Sequence, residues 1–386
     1  MKKLLYITHF SGLHVNRFWL TSIAAAHELG YEFHLACNMR GADPEEFPKE
    51  CSRYGITAHQ IDFERSPLSV NNVKAYKQLV NLMKKEQFDI VHCNTPIGGI
   101  LGRICARRAG AGYVIYQAHG FHFWKGAPLK NRLIYYPVER MMARYTDTLL
   151  TINQEDYQAA SGFKLKRGGS VRYIAGVGVD VERIRNTQAD LSQKRKELGI
   201  PENAKVFLNI AEFIDRKNQE TIVRAFDKAD LSEAYLLFCG KGRNVQKIAD
   251  LIEELGRQDQ IKILGYRTDV MELLKVSDCF VFASYQEGLP VALMEAMASG
   301  VPCIASRIRG NTDLLPESRF LFDPADTAGL AELLKQAGNG AQSAYEVQEN
   351  LKRIRLFDSS VITRELTDVY RNAALQKDRR NKVGER

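Results

Sequence analysis

Two glutamates separated by seven residues, Glu287 and Glu295, stand in the segment EGLPVALMEAMASGVP of this 386-residue chain. The segment reads as part of a βαβ unit. Cys279–Ser284 is a short apolar run suited to a buried parallel strand, and Gln286–Pro290 breaks it. Val291–Ser299 is rich in good helix formers, Gly300 and Pro302 stop it, and Val301–Ala305 is the next strand. The helix is apolar almost all round and is expected to be buried. An ionised carboxylate on such a helix is costly without a partner, which marks Glu295 as a candidate ligand-binding group. Glu287 falls in the loop at the strand's carboxyl end, where open α/β sheets bind ligands. The first helical turn, behind Gly288 and Leu289, presents N–H groups and a positive dipole end to an anion. Two carboxylates beside an anion site suit a ligand with hydroxyls to donate and phosphates to anchor. A sugar nucleotide has both.

Other polar residues also fall at strand ends. Lys3–His9 reads as a strand, followed by a loop holding Ser11-Gly12, and Phe18–Leu29 reads as a helix. Arg17 beside that loop faces an acceptor phosphate or only solvent. Phe33–Asn38, Asp89–Cys93 and Tyr113–Ala118 are further strands, and His119-Gly120-Phe121-His122 follows the last of them. Lys205–Ile210 opens the second half and leads into AEFIDRKNQ, with Arg216 and Lys217. Tyr235–Cys239 ends in Gly240-Lys241-Gly242, and Ile261–Leu264 in Gly265-Tyr266-Arg267. A G-x-G at a strand end permits close approach of a nucleotide. Apolar strands alternating with helices through both halves predict an α/β protein, with a linker near residues 185–203.

Composition narrows the class. No stretch approaches the roughly 20 apolar residues of a membrane span. The seven cysteines are scattered without a C-x-x-C pair, as in a reduced cytosolic protein without a zinc site. The N-terminus, MKKLLYITHF, reads as a strand rather than a signal peptide. Net charge is +8 and unevenly placed. Thr95–Thr146 holds eight basic residues against one acid, Glu139. Within it, WKGAPLKNRLIYYPVERMMAR alternates aliphatic and aromatic residues with Lys and Arg. A helix in a membrane interface has that composition. So does an ordinary helix packed on its own domain, and Pro137 would kink or break either. The stretch Arg371–Arg386 holds six basic and two acidic residues and is expected to fray beyond Asn372. Basic clusters call for an anionic partner. Nothing resembles an RNA- or DNA-binding module, so nucleic acid is not the expected one.

EGLPVALMEAMASGVP resembles the E-x7-E signature of retaining glycosyltransferases of family 4, with Glu287 and Glu295 as its two glutamates. The likeness extends over nearly the whole chain and is strongest across residues 205–325. It implies the GT-B architecture: two Rossmann-like, doubly wound domains facing a central cleft. Residues 1–185 would bind the acceptor, 203–360 the nucleotide sugar, and 361–386 would return as a helix to the first domain and end in a basic tail. The resemblance implies that His119 and Glu287 contact the transferred sugar and that Glu295 binds the ribose. Lys217 and Arg216, with N–H groups near Gly288 and Leu289, would hold the diphosphate. Gly240 and the loop carrying Arg267 would lie by the nucleoside, Gly12 by the donor phosphates, and His122 by the acceptor. Glu212 stands where the family usually has a diphosphate-binding arginine, so Arg216 would supply the second charge.

The implied reaction moves a hexose or N-acetylhexosamine from a nucleoside-diphosphate sugar, by default a UDP-sugar, to an acceptor hydroxyl with retention. No nucleophile suited to the anomeric carbon stands out. His119, Glu287 and Lys217 would position groups and stabilise charge on a front-face path. There is no D-x-D, so neither metal nor cofactor is expected. HGFHFWKGAP with the basic segment after it resembles enzymes that extend lipid-linked oligosaccharides in capsule and exopolysaccharide assembly. That implies a polyprenyl-diphosphate-linked saccharide acceptor, an anionic membrane surface, and a cytoplasmic enzyme held peripherally on the inner face of the cell membrane. Two rival readings are a GT-B sugar-nucleotide epimerase without an acceptor and a basic nucleic-acid-binding protein. Fold alone separates none of them.

Overall fold

The computed structural model describes residues 2–66, 69–339 and 344–384. Its first sheet contains β1 (Lys2–Phe10), β2 (Tyr31–Asn38), β3 (Ile56–Gln60), β4 (Ile90–Asn94), β5 (Tyr113–Ala118), β6 (Thr148–Thr151) and β7 (Ser170–Tyr173), in the order 3-2-1-4-5-6-7. Its second contains β8 (Lys205–Ile210), β9 (Ala234–Cys239), β10 (Ile261–Ile263), β11 (Cys279–Phe282), β12 (Cys303–Ser306) and β13 (Leu321–Phe322), in the order 10-9-8-11-12-13. Neighbouring strands are parallel in both. Strands such as YVIYQA and CFVF are buried along their whole length, as strands covered by helices on both faces must be. In each sheet the order reverses next to the first strand. Crevices therefore open at the carboxyl ends of β1 and β4, and of β8 and β11, the places where doubly wound sheets bind ligands.

Among the helices are α1 (Leu20–Glu28), α2 (Pro96–Ala109), α3 (Leu129–Ala143), α4 (Val291–Ser299) and α5 (Ser359–Gly384). The first compact unit runs to Gly178 and resumes at Ser359; the second is Val179–Asp358. The stretch expected to be a linker, 185–203, contains the helix Leu191–Glu197 and belongs to the second unit. α5 packs on the first unit. Its Tyr370 hydroxyl bonds His92 Nδ1 at 2.8 Å, Tyr113 donates to Gln376 at 3.3 Å, and Lys377 pairs with Asp89.

Two local expectations fail. α5 continues to Gly384 without fraying at Asn372, while Glu385 and Arg386 lie outside the described residues. α3 runs through Pro137 unbroken. Pro137 is exposed, so the carbonyl its missing N–H leaves unpaired, four residues back at exposed Leu133, can be met by water.

All eight histidines fall in the first unit. His92 is wholly buried, and burial lowers its pKa from 6.5 to about 3. The unfolded chain therefore binds more protons between those values. Stability contributed by the neutral ring is fully present above about pH 6.5 and is lost as the pH falls toward about 3. Urea unfolding of the first unit is expected to show its midpoint falling across that window, by on the order of a few kcal/mol in stability. A His92→Asn variant should flatten the decline. An equally steep decline in that variant would assign it to other groups.

Candidate active site

Lys217 and Glu287 meet across the crevice of the second sheet. Lys217 lies beyond β8 and Glu287 beyond β11, the two strands on either side of the reversal. Lys217 Nζ stands 2.6 Å from Glu287 Oε1, and Arg216 Nη1 is 3.6 Å from Oε2. Both partners of the shorter pair are largely buried, and the ammonium also sits 4.9 Å over the Phe282 ring. The two loops are joined by their main chains, Tyr285 N donating to Arg216 O at 2.8 Å. Asn218 holds the lysine loop in place. It adopts a left-handed conformation (φ 54°), and its side-chain amide donates to Ala283 O at 3.1 Å and Pro324 O at 2.9 Å.

A third loop, after β12, supports Glu287 from behind. Buried Arg309 donates from Nε to the Glu287 carbonyl at 3.0 Å. Gly310 (φ 82°) lies so close that a Cβ there would be 2.5 Å from Gly288 O. The loop Glu287–Leu289 is thereby pressed against the start of α4, whose N-cap is Pro290. Glu295 is buried on α4, 4% exposed. Sequence alone does not mark Asn218, Arg309 and Gly310 as site residues, since only the folded sheet brings their loops together.

Two sequence candidates have structural tasks. The space for a Cβ at Gly240 is taken by the Ala211 carbonyl, 1.9 Å away, so this glycine lets two protein loops approach one another. Arg267 is engaged by Asp269 at 2.5 and 2.7 Å and by Glu197 at 2.6 Å, and these bonds raise its pKa. Its neighbour Tyr266 is the group that faces solvent, 70% exposed, with Lys241 Nζ 5.1 Å from its ring centre. Glu212 is exposed and contributes its carbonyl to Gln219 at 3.0 Å.

In the first unit, Gly12 (φ 79°) follows β1, next to buried Ser11. His119 follows β5 and bonds Asn94, the last residue of β4, through Nε2 at 2.9 Å. Neighbouring protein partly desolvates the ring and lowers its pKa, although the residue is exposed to solvent. A neutral ring whose Nε2 donates to the Asn94 oxygen keeps Nδ1 as an acceptor, suited to a hydroxyl. Thr95 comes next with φ 61° and ψ 157°, a region almost reserved for glycine. Thr95 thus holds a strained backbone at the sheet's reversal, a feature that sequence alone does not show.

A model described as glycosyl transferases group 1 matches residues 190–353, and one described as glycosyl transferase 4-like matches residues 3–153. A putative glycosyltransferase of Bacillus subtilis, EpsD, is 34% identical across 99% of each chain. The chain belongs to the glycosyltransferases. This glycosyltransferase is also 30% identical, over 64% of its length and 65% of the relative's, to the UDP-Gal:alpha-D-GlcNAc-diphosphoundecaprenol alpha-1,3-galactosyltransferase of Escherichia coli. Among solved structures, Anabaena HepE in complex with UDP and glucose superposes with a TM-score of 0.79 at 18% identity, over 96% of this chain and 100% of that one. Sucrose-phosphate synthase of Thermosynechococcus elongatus gives 0.78 at 18%, over 96% and 99%. At such identity the glycosyltransferase shares with them its fold, two parallel α/β Rossmann-like domains of the GT-B class.

Proposed function

We propose that this glycosyltransferase moves a hexose or N-acetylhexosamine from a UDP-sugar to a polyprenyl-diphosphate-linked saccharide, retaining anomeric configuration. The observation that carries the reading is the Lys217–Glu287 pair over the reversal of the second sheet. An ammonium has three donors, so one bond to Glu287 leaves capacity for a phosphate oxygen. As the glycosidic bond breaks, the diphosphate gains negative charge. Lys217, Arg216 and the start of α4 are the groups to stabilise it. Glu287 then serves the sugar, Glu295 the ribose, and exposed Tyr266 offers a face for the base. His119 meets a sugar hydroxyl. The route is a front-face departure without a metal, in which the leaving phosphate helps deprotonate the acceptor. The named activity of the Escherichia coli relative supports the donor base and the lipid-linked acceptor. An acceptor of that kind sets the enzyme to work at the inner face of the cell membrane, in assembly of a surface polysaccharide.

The test is incubation of purified enzyme with UDP- and GDP-sugars, with and without a polyprenyl-diphosphate-linked sugar and with EDTA. Released nucleotide, product mass and anomeric configuration are read. Acceptor-dependent release of UDP that survives EDTA and is lost in Glu295→Ala is the expected result. Release only from GDP-sugars, or conversion of a donor to its epimer without acceptor, overturns it.

A further inference from the structure

A cavity of about 670 Å³ lies in the second unit, between the helix Ala344–Ile354 and residues 314–319, which lead into β13. That volume falls within the about 300–1,000 Å³ of small-molecule sites. Leu315 and Pro316 give it an apolar lining, and exposed Tyr345 adds an aromatic ring. Its charges cancel. Glu317, Glu346 and Glu349 stand against Arg319 and Arg353, with Arg319 bonded to Glu346 at 2.7 Å and Lys352 to Glu349 at 2.8 Å. An anion thus finds no net positive field there, and a cation no net negative one. Asn350, half-buried in the same lining, bonds no other side chain among the described residues. Carboxylate, guanidinium and amide groups together offer acceptors and donors to neighbouring hydroxyls. An unmodified pyranose has such hydroxyls, no charge, and C–H faces suited to an aromatic ring.

The cavity backs onto the loop that supports Glu287. Arg353 Nη2 donates to Asp313 O at 2.8 Å, and Asp313 Oδ2 accepts from Gly310 N at 3.2 Å. Gly310 is the glycine pressed against Gly288 O, and Arg309 beside it holds the Glu287 carbonyl. A second connection runs through packing: the helix Ala344–Ile354 lies against α4, which carries Glu295. Both connections stay inside the second unit.

We propose that this cavity is a second saccharide site, which takes an uncharged hexopyranose or a short oligosaccharide of such units and is coupled to the loop of Glu287. Hydroxyls bonded to Asn350 and Arg353 would hold the guanidinium on the Asp313 carbonyl, and with it the Gly310 turn behind Glu287. Filling the cavity should then tighten UDP binding. UDP should tighten saccharide binding by the same factor, because such coupling is reciprocal. The saccharide class rests on the chemistry of the lining. The effect on UDP rests on the donor site proposed above.

The test uses the full chain without acceptor, with galactose, N-acetylglucosamine and lactose as probes. Saturation-transfer NMR reads saccharide binding with and without UDP, and calorimetry reads UDP binding with and without saccharide. Saturable saccharide binding is expected, tightened at least about fivefold by UDP, with UDP tightened equally. Glu317→Ala with Asn350→Ala should weaken it about 25-fold, taking about fivefold per lost hydrogen bond. Melting temperature and UDP binding without saccharide check the fold of this variant. Should it fail either, Tyr345→Ala, at an exposed position, tests the same loss. Arg353→Gln should remove the mutual effect of the two ligands. Absence of saturable saccharide binding, or binding that does not respond to bound UDP, overturns the proposal. So does glucose 6-phosphate binding more tightly than glucose, which marks an anion site. Saccharide binding lost in Glu287→Gln but intact in the cavity variants also overturns it, by placing the sugar in the donor crevice. Failure of the transfer reading looks different: no UDP binds or no donor turns over, while saccharide binding that the cavity variants weaken persists.

Discussion

Replacing Lys217 with alanine is expected to lower kcat/KM by about 100- to 1,000-fold. The charge is largely buried, 12% exposed, and is held by Glu287 at 2.6 Å, so it acts where water screens little. On the proposed reading its loss should raise donor KM and lower kcat together, because the lysine there serves both the bound and the departing diphosphate. A second effect needs separating. The variant also removes the main counter-ion of Glu287 and leaves Arg216 at 3.6 Å as the remaining one. Comparing Lys217→Met, Glu287→Gln and the double variant resolves the two. If the lysine only neutralises Glu287, the double variant should be no less active than Glu287→Gln. If it serves the diphosphate, the double variant falls well below it, with the deficit in donor KM. Near-parental turnover in Lys217→Ala would remove the lysine from the mechanism.

Arg103→Met should destabilise the first unit by about 3–5 kcal/mol, read as a lower urea midpoint with unchanged slope. Arg103 is wholly buried, donates to Gly99 O at 2.8 Å and lies 3.8 Å over the Tyr116 ring. Glu139 accepts from Arg103 and, at 2.8 Å, from Tyr116. Deleting the guanidinium leaves a mostly buried carboxylate with one neutral donor. Gly99 belongs to the same arrangement, since a Cβ there would be 2.4 Å from the Tyr116 ring. Arg103→Met combined with Glu139→Leu should recover much of the loss, because no unpaired charge remains. A double variant as unstable as the single would place the stability in packing around Tyr116.

Much of this molecule can be read from its sequence because parallel strands are buried on both faces. Runs such as CFVF and YVIYQA announce themselves, and the Gly–Pro breaks around Val291–Ser299 bound α4. The edge strand β3, ITAHQ, is not legible, since it mixes polar with apolar residues and is only partly buried. The helix Glu46–Arg53 before it is equally illegible: only Phe47 and Cys51 of it are buried, too few to show a periodic stripe. In the site, Lys217 and Glu287 could be nominated singly, but their pairing depends on β8 lying beside β11. Arg309 reaches Glu287 from a loop 22 residues further on, which no spacing rule anticipates. Arg267 was legible as a cation but not as one already engaged by Asp269 and Glu197. The backbone of Thr95 leaves no trace in composition.

The division of the chain bears on the order in which it is made. The first unit lacks α5 until residues Ser359–Gly384 have left the ribosome, after the whole of Val179–Asp358. Until then His92 and Tyr113 lack Tyr370 and Gln376, the partners that α5 brings them. The second unit, which comes out in one piece, can therefore finish folding before the one that precedes it. A message cut short late in synthesis would yield a finished second unit attached to an unfinished first one, with buried strand residues left open to chaperones and proteases.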